Sequence, residues 1–309
     1  MFTIGIDVGG TTIRAGAIGL DGKIHGETRA ATPRDGGALV DWITSAIRQI
    51  RAESAGDMLS GVGLALPGVV DAERGRLVRS VNLPFLQGRA IREEMSGSTG
   101  LPFMVMTDAD AATWGEYCRR TPRPKAFVHL RLGTGVACGI VLGDRIQPTD
   151  PGRTTHWEVL VVNRGPNAAP CPCGLRGCLE TIASGPAIER RASAAGCDGG
   201  LDGLQKAWRR SESAARKIVN EASRGVAAAI SNLKSQISND MVVCLGGGVL
   251  GALPCLYEGV VELAGANFVN QGSVSIHLGK LGDDAGVIGA GLLAAVVSPG
   301  GACAIRGNR

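Results

Sequence analysis

The first residues that could do chemistry form a glycine turn with one carboxylate and two hydroxyls: Asp7, Gly9, Gly10, Thr11 and Thr12. Alternating apolar residues before Asp7 predict a strand, and the two glycines permit a tight reversal that residues with a Cβ would resist. Such a turn directs backbone N–H groups and threonine hydroxyls at one small volume, which suits phosphate oxygens. By itself, the segment indicates a phosphate-binding turn or an ordinary hairpin equally well.

A second copy of this turn, Gly133-Thr134-Gly135, favours the phosphate-binding interpretation. At an offset of 123 residues, four positions recur: Gly10, Thr11, Gly16 and Asp21 fall on Gly133, Thr134, Gly139 and Asp144. A nucleotide held between two similar domains explains such a repeat, whereas an ordinary hairpin has no reason to recur in this register. A third glycine run, Gly246-Gly247-Gly248, follows a predicted strand and is expected to admit the adenosine and the α-phosphate.

A carboxylate follows the predicted strand at 103–106 directly, where the chain reads Thr107-Asp108 and enters an alanine-rich helix. Either residue could be the N-cap of that helix, which is the usual role of such a residue. Asp108 could instead be a general base, because a carboxylate at the end of a strand can accept the proton of a hydroxyl that attacks a phosphoryl group. Its position between the two glycine turns in the sequence favours the general base.

Three cysteines, Cys171, Cys173 and Cys178, lie close together and are separated by proline and glycine. Turns of this kind bring sulfurs to one tetrahedral ion, so we predict a structural zinc site in preference to buried cysteines without a metal. His156 is the nearest upstream candidate for the fourth ligand. A metal would also fix the direction of Glu180, two residues beyond the last cysteine, which would suit a ligand for sugar hydroxyls.

The elements that must position these residues alternate between strands and helices. Apolar residues at helical spacing predict amphipathic helices at 37–52 and 214–233, and an apolar helix at 286–297 that packs against the N-terminal half. A fully apolar strand at 61–66 ends at Pro67-Gly68. Asn82, just ahead of a proline, either contacts a polyhydroxylated ligand or bridges loop backbone.

Composition narrows the class of protein. With 309 residues, 44% of them hydrophobic, and 47 glycines, the chain is expected to form two globular domains separated near residues 119–125. The net charge of +4 is scattered, which argues against nucleic-acid binding. The sequence lacks a run of ~18 apolar residues and a signal-like start, so we expect a cytoplasmic protein without membrane contact and with reduced cysteines.

Taken in order, these motifs resemble the ROK family of sugar kinases, within the actin-like ATPase fold of hexokinases and Hsp70. The resemblance covers nearly the whole chain and is most specific in the cysteine segment and Glu180. It implies an α/β fold with two duplicated ribonuclease H-like lobes and an interlobe cleft. The implied lobes are a small one at 1–120, joined by the C-terminal helix at about 286–298, and a large one at 121–285 with the cysteine-rich zinc-type insertion. A homodimer is also expected.

The resemblance implies an ATP-dependent kinase that uses Mg²⁺ and phosphorylates a primary hydroxyl, usually O6 of a hexose, with Asp108 as the base. The implied nucleotide-binding residues are Asp7, Gly9, Gly10, Thr11, Thr12, Gly133, Thr134, Gly135, Gly246, Gly247 and Gly248. The implied sugar-binding residues are Gly68, Asn82, Thr107, Asp108, His156, Glu158 and Glu180. The implied zinc ligands are His156, Cys171, Cys173 and Cys178.

Two departures from the family pattern concern the sugar. Thr107 stands where family members usually have Asn before the catalytic Asp. The segment 154–158 replaces a Gly-Glu-x-Gly-His element in which Glu binds the sugar and His lies near both sugar and zinc. Counting back from the cysteines puts Glu158 on the family's Glu and Val161 on its His, whereas matching His to His leaves Arg153 at the Glu. Counting forward from Gly143 gives a third register.

The residues implied for phosphoryl transfer match the family pattern, whereas some of those implied for sugar binding differ from it. This combination predicts a substrate other than plain glucose. We expect an amino sugar such as kanosamine, an uncommon hexose such as allose, or a C7-cyclitol, with glucose and N-acetylhexosamines as alternatives. A non-catalytic ROK regulator is disfavoured, because the hairpin begins at residue 3 and leaves no room for an N-terminal helix-turn-helix. A kinase-dead sugar sensor is disfavoured by the presence of Asp108.

Overall fold

The computed structural model of the protein describes residues 1–54, 56–147, 160–237, 240–267 and 273–297. Contacts between residues divide the chain into two compact units. Unit 1 contains Met1–Arg123, Gly139–Arg153 and Leu281–Arg309, and unit 2 contains Pro124–Cys138 and Thr154–Lys280. Among the helices within the described residues, none combines the length and the apolar composition that a bilayer span requires.

Strands and helices alternate along the described part of the chain. The strands are β1 (Phe2–Val8), β2 (Thr12–Gly19), β3 (Ile24–Ala31), β4 (Leu59–Leu66), β5 (Val69–Asp71), β6 (Arg76–Arg79), β7 (Phe103–Thr107), β8 (Ala126–Leu132), β9 (Val136–Leu142), β10 (Arg145–Ile146), β11 (Met241–Gly246) and β12 (Val274–Leu278). The α-helices are α1 (Gly36–Glu53), α2 (Ile91–Thr99), α3 (Asp108–Cys118), α4 (Glu180–Ala183), α5 (Gly185–Ala194), α6 (Gly200–Arg209), α7 (Ser213–Gln236), α8 (Gly248–Ala252), α9 (Pro254–Asn267) and α10 (Ala285–Val297).

The first sheet has the strand order β3-β2-β1-β4-β7. β1 is antiparallel to β2 and parallel to β4, and β4 is parallel to β7. β1 is buried along nearly its whole length because α1 and α10 both pack against it, whereas every second residue of the edge strand β3 is exposed. Alternation with a period of two is therefore visible in β3 and not in β1.

Helix α1 covers part of this core. Its N-cap is Asp35, whose Oδ1 accepts the N–H groups of Gly37 and Ala38 at 2.8 and 3.0 Å. Leu39 and Ile43 on its apolar stripe are buried in the same hydrophobic cluster as the apolar residues of β1. The helices predicted at 37–52, 214–233 and 286–297 are confirmed as α1, α7 and α10.

The second sheet repeats the connectivity of the first, with the order β10-β9-β8-β11-β12. In each sheet the first strand of the set forms a hairpin with the second, and the hairpin is followed by parallel strands. β11 lies parallel to both β8 and β12. The duplication inferred from the glycine turns therefore extends to the order of the strands.

Helix α10 packs within unit 1 through glycines. A Cβ at Gly5 of β1 would overlap the carbonyl oxygen of Val287, and one at Gly63 of β4 would overlap that of Ala290. On the opposite side, a Cβ at Gly289 would overlap the carbonyl oxygen of Ala111 in α3. The backbones approach closely enough that these positions accept only glycine.

Replacing Gly289 with Ala is expected to lower the free energy of unfolding by about 1–3 kcal/mol, because the added methyl group must push α10 and α3 apart. Gly97 of α2 is the matched control, since it is also a helical glycine and a Cβ there meets no described atom within 4 Å. G97A should raise stability by up to about 1 kcal/mol through helix propensity. Urea denaturation measures both changes, and equal shifts in the two variants would contradict the close packing.

Candidate functional site

Three neighbouring parallel strands of unit 1 end at the same edge of the first sheet. Asp7 on β1 is opposite Ala65 on β4, and Ala65 is opposite Met106 on β7. Thr107 therefore ends β7, and Asp108 follows it, at the edge where β1 ends just after Asp7, about two strand spacings or ~10 Å away. Because open α/β sheets bind ligands at the carboxyl ends of their parallel strands, this edge is the candidate site of unit 1.

The turn between β1 and β2 is fixed by backbone hydrogen bonds. The N–H of Gly9 donates to the carbonyl oxygen of Thr12 at 2.9 Å. Thr32, just beyond β3, holds the turn twice: its N–H donates to the carbonyl oxygen of Thr11 at 2.9 Å, and its hydroxyl donates to that of Gly9 at 2.7 Å. Thr11 and Thr12 are themselves exposed. The turn thus combines a fixed backbone with hydroxyls open to a ligand, as phosphate binding requires.

Asn82 lies against this turn. A Cβ at Gly10 would meet Cγ of Asn82 at 3.2 Å and Oδ1 at 3.4 Å. The loop that carries the exposed Asn82 is held by Ser80, whose Oγ accepts the N–H of Leu83 at 3.1 Å. Gly68 follows β4 at the same sheet edge with a φ of +121°, and a Cβ there would overlap the backbone of β6. The predicted sugar-binding residues of this loop region therefore lie beside the first glycine turn.

The carboxylate of Asp7 lies at the first turn of α10, where a Cβ at Gly286 would overlap its Oδ2. Arg14, the cross-strand partner of Asp7, donates to Oε1 of Glu27 at 2.7 Å and to Oδ1 of Asp284 at 2.6 Å. The hydrogen bond with Glu27 is the main reason that the pKa of Arg14 is raised. These contacts tie the segment that precedes α10 to the strand that follows the glycine turn.

Thr107, and not Asp108, is the N-cap of α3. The buried Thr107 accepts the N–H of Asp110 with its Oγ1 at 3.0 Å. Asp108 is the first residue of the helix, is only partly buried, and accepts the N–H of Ala109 with its Oδ1 at 3.0 Å. The cap role that the sequence left open for Asp108 is therefore filled by its neighbour. The start of a helix also favours the ionised form of a carboxylate.

Asp110 is a second carboxylate of this helix, which sequence reasoning did not single out. It is only 6% exposed, and burial is the main cause that raises its pKa to about 7. The charge of Asp108 raises this pKa further, whereas a hydrogen bond with Thr107 lowers it. The Thr-x-x-Asp spacing is that of a capping box, which is the signal in the sequence that could have identified the residue.

The turn between β8 and β9 in unit 2 resembles the first turn but is shorter. The N–H of Gly133 donates to the carbonyl oxygen of Gly135 at 2.9 Å, and Thr134 is exposed. The strands before the two turns, Phe2–Val8 and Ala126–Leu132, correspond at an offset of 124 residues. The carbonyl groups that close the turns, those of Thr12 and Gly135, correspond at an offset of 123 residues. The second turn therefore has one residue fewer than the first.

The glycine run that follows β11 lies beside this second turn. Gly247 has a φ of +96°, and a Cβ there would overlap the carbonyl oxygen of Leu132, the last residue of β8. Gly248 is exposed, and a Cβ there would meet no described atom within 4 Å. Gly247 therefore packs tightly against the start of the second turn, whereas the space beside Gly248 is open.

The three cysteines of the cysteine cluster, Cys171, Cys173 and Cys178, converge as the sequence predicts, with their sulfur atoms all within 4.8 Å of one another. The two glycines between them are in the left-handed region, with φ of +94° at Gly174 and +72° at Gly177. Residues with a Cβ rarely adopt that conformation, so the spacing of glycines is what lets the chain fold the sulfurs together.

The cluster fits zinc. Sγ of Cys173 and Sγ of Cys178 are 3.6 Å apart. Two thiolates bound to one tetrahedral zinc at ~2.3 Å lie about 3.8 Å apart, close to the observed separation. Burial raises the pKa of the Cys171 thiol to about 11, so binding of a cation would displace protons from the cluster.

Two of the predicted site residues, His156 and Glu158, lie outside the described residues. Val161, which one register places at the family's histidine, is buried and forms a β-bridge with Cys178. An aliphatic side chain cannot ligate a metal, so this position does not supply the fourth ligand. The assignment of His156 stays a prediction.

Within each unit, several of the predicted site residues lie close together. In unit 1 the first glycine turn, Gly68, Asn82 and Asp108 lie at one sheet edge. In unit 2 the second turn, the glycine run and Glu180 lie together. The sequence analysis did not identify Thr32, because its partner in the first turn lies more than twenty residues away along the chain and no local pattern indicates the contact.

The family model described as ROK family matches residues 3–296. The glucokinase of Streptomyces coelicolor is 33% identical over 195 residues, which are 62% of this chain, and the chain spans only 58% of the length of that relative. The N-acetylmannosamine kinase of Haemophilus influenzae is 31% identical over 293 residues, which cover 94% of each protein.

Among solved structures, a ROK family glucokinase from Streptomyces griseus in complex with glucose and AMPPNP superposes with a TM-score of 0.74. It is 28% identical, and the match covers 96% of this chain and 99% of that one. The α/β fold of the actin-like ATPase class that the sequence predicts is thereby confirmed.

Replacing Asp110 with Asn is expected to stabilise the protein increasingly as the pH rises. Because the folded-state pKa of about 7 lies above the ordinary value of 3.8, the unfolded chain loses this proton first, and wild-type stability falls between about pH 4 and pH 7. The D110N side chain mimics the protonated form and does not titrate. Its stability advantage should grow to a plateau above pH 7, on the order of 4 kcal/mol at ~1.4 kcal/mol per pKa unit.

Urea denaturation between pH 4 and pH 9 measures this difference. The exposed Asp41 on α1 provides the control, since D41N should show no comparable pH dependence. A difference between D110N and wild type that stays constant across the range would mean that Asp110 does not titrate as a buried carboxyl.

Proposed function

The chain belongs to the ROK family, and we propose that it is an ATP-dependent sugar kinase that transfers the γ-phosphoryl group to a primary hydroxyl, O6 of a hexose or modified hexose. One observation carries the proposal. Asp108 follows β7 at the sheet edge that holds the first glycine turn, and Thr107 supplies the helix cap in its place. A partly exposed carboxylate beside a phosphate-type turn is what phosphoryl transfer to an alcohol requires.

In the proposed reaction, Asp108 accepts the proton of the sugar hydroxyl. The hydroxyl oxygen forms a bond to the γ-phosphorus, and the bond from that phosphorus to the β–γ bridging oxygen breaks, so ADP leaves with the electron pair. The base contributes by orienting the hydroxyl and removing its proton as the bond forms.

The phosphates are proposed to bind the two glycine turns through backbone N–H groups and the hydroxyls of Thr11, Thr12 and Thr134. The glycine run at 246–248 would receive the adenosine and the α-phosphate. Asp7 would hold Mg²⁺, because a carboxylate oxygen is the ligand type that this cation prefers. When bound, Mg²⁺ neutralises charge on the phosphates. The exposure of the three threonines supports this assignment.

The cysteine cluster is proposed to hold a structural zinc ion, with His156 as the fourth ligand. A closed tetrahedral site of this kind stabilises the fold and takes no part in the chemistry. The convergence of three sulfur atoms in the cluster supports the proposal. Cytoplasmic location and a homodimer stay predictions.

For the acceptor, we propose an amino sugar such as kanosamine or an uncommon hexose such as allose, in preference to plain glucose. The contact of the Thr107 hydroxyl with Asp110 supports this choice. A hydroxyl that is bonded to Asp110 does not offer the sugar the contact that the side chain of the family's Asn would offer. Asn82 and Gly68 remain as contacts. Glucose and N-acetylmannosamine are the competing acceptors, since the relatives compared are named for them.

Replacing Asp108 with Asn should lower kcat by about 10²–10⁴-fold while leaving the dissociation constants of sugar and ATP nearly unchanged, because the amide keeps the shape but cannot accept the proton. A coupled assay for ADP release gives kcat, and calorimetric titration gives the affinities. D41N is the matched control, a charge removal at an exposed position in the same unit. Full activity in D108N would refute the assignment of the base.

A panel of sugars tests the acceptor. We expect kcat/KM for kanosamine or allose to exceed that for glucose by at least tenfold, since a site built around different hydroxyl partners leaves a buried group unpaired with the wrong sugar. T107N should shift this ratio toward glucose, and T107S, which keeps the helix cap, should not. Equal turnover of all the sugars by the wild type would contradict altered specificity.

A further inference from the structure

The acceptor loop, residues 80–87, carries Asn82 beside the first glycine turn. Its apolar side is anchored in the core, because Leu83 and Leu86 are buried. The tip of the loop lacks such an anchor, since Val81 is 91% exposed and Asn82 is exposed as well. Packing by itself therefore does not fix the direction of the tip, which depends on hydrogen bonds within the loop.

Two hydrogen bonds form a chain across the tip. The side chain of Gln87 accepts the backbone N–H of Ser80 with its Oε1 at 3.0 Å. The hydroxyl oxygen of Ser80 accepts the backbone N–H of Leu83 at 3.1 Å. Val81 and Asn82 lie between Ser80 and Leu83 in the chain. Gln87 therefore holds the residue at which the tip begins, and that residue is bonded to the one at which the tip ends.

The same loop contacts both turns of the candidate site in unit 1. A Cβ at Gly68 would meet Cα of Ser80 at 3.0 Å, and a Cβ at Gly10 would meet Cγ of Asn82 at 3.2 Å. Ser80 itself is only 4% exposed. Because a single residue separates Ser80 from Asn82, a displacement of Ser80 would move the Asn82 amide relative to the first glycine turn.

We propose that Gln87 is a positioning residue for the sugar acceptor, which holds Asn82 in its binding position through the backbone of Ser80. The proposal rests on the proposed function and deepens it, since it concerns the same acceptor site. A group that is already directed at its ligand binds more tightly than one that must be ordered on binding. Gln87 therefore contributes to the affinity for the sugar without being a sugar ligand.

The role requires an acceptor oxygen at position 87, whether neutral or charged. Q87E keeps such an oxygen, whereas Q87M has nearly the same length and offers only a weakly accepting thioether. The base of the loop is closed independently of this side chain, because the N–H of Gly88 donates to the carbonyl oxygen of Leu77 at 2.8 Å. Both variants are therefore expected to fold.

Titration calorimetry with kanosamine, allose, glucose and N-acetylmannosamine measures the affinity for the acceptor without ATP. For the sugar that the wild type binds best, Q87M should weaken binding about fivefold, the effect of one lost hydrogen bond, and Q87E no more than about twofold. The affinity for ADP, and kcat at saturating sugar, should stay within about twofold of wild type in both variants. Unchanged sugar affinity in Q87M, or equal losses in Q87M and Q87E, would overturn the proposal.

Gln49 on α1 provides the matched control. Its Nε2 donates to Oε1 of Glu53 at 2.9 Å, so Q49M removes one side-chain hydrogen bond of an exposed glutamine in the same unit. Q49M should bind the sugar as the wild type does. A loss of sugar affinity in Q49M as large as that in Q87M would mean that the effect is not specific to the acceptor loop, and would overturn the proposal.

Hydrogen exchange gives a readout that needs no ligand. In Q87M the amide of Ser80 loses its acceptor, so its exchange should accelerate about fivefold or more, while Q87E and Q49M should keep it protected. Unchanged protection of Ser80 in Q87M would overturn the proposal. This measurement also separates the two failures, because a wild type that binds none of the four sugars would refute the proposed function without altering the exchange result.

A double-mutant cycle tests whether Gln87 acts through Asn82. N82A should weaken sugar binding in the wild-type background, and Q87M should cause no further loss in the N82A background, since no amide is left to position. Additive losses would overturn the proposal and make Gln87 a direct contact of the sugar. Wild-type sugar affinity in N82A would overturn it as well, because Gln87 would then have no sugar ligand to hold.

Discussion

The parallel alignment of β1, β4 and β7 is the constraint on which the candidate site of unit 1 depends. Because these strands run in the same direction and in register, the turn after β1, the Pro67-Gly68 turn after β4 and Asp108 after β7 all arise at one edge. A slip of one residue would turn the side chains of a strand to the other face. The glycine contacts of α10 with β1 and β4 oppose such a slip, since only one register provides a glycine opposite each carbonyl group.

The second physical feature is that neighbouring polar residues at the start of α3 have different roles. At the start of α3, Thr107 caps the helix and Asp110 completes the capping pair, so the cap role does not fall to Asp108. The arrangement has a thermodynamic cost, because a buried carboxyl is destabilising when ionised. Burial raises the pKa of Asp110, and perturbed pKa values of this kind cluster near functional sites.

Duplication gives the two units similar turns but different supports. The first turn is closed across three residues and held by Thr32 from a neighbouring strand, while the second is one residue shorter and held by the segment that begins at Glu180. The shorter turn offers one hydroxyl where the first offers two. Two turns of common design therefore differ in the groups that each offers to a ligand.

The sequence by itself determined several of the main strands and helices, the two glycine turns and the convergence of the cysteines, because each depends on local periodicity or on glycine at fixed spacing. It did not determine which residue caps α3, the burial of Asp110, or the contacts of Thr32 and Glu180. Those depend on residues brought together from distant parts of the chain. Only the tertiary structure decided them, since hydrogen-bond partners and desolvation are properties of the packed surroundings and not of the residue types.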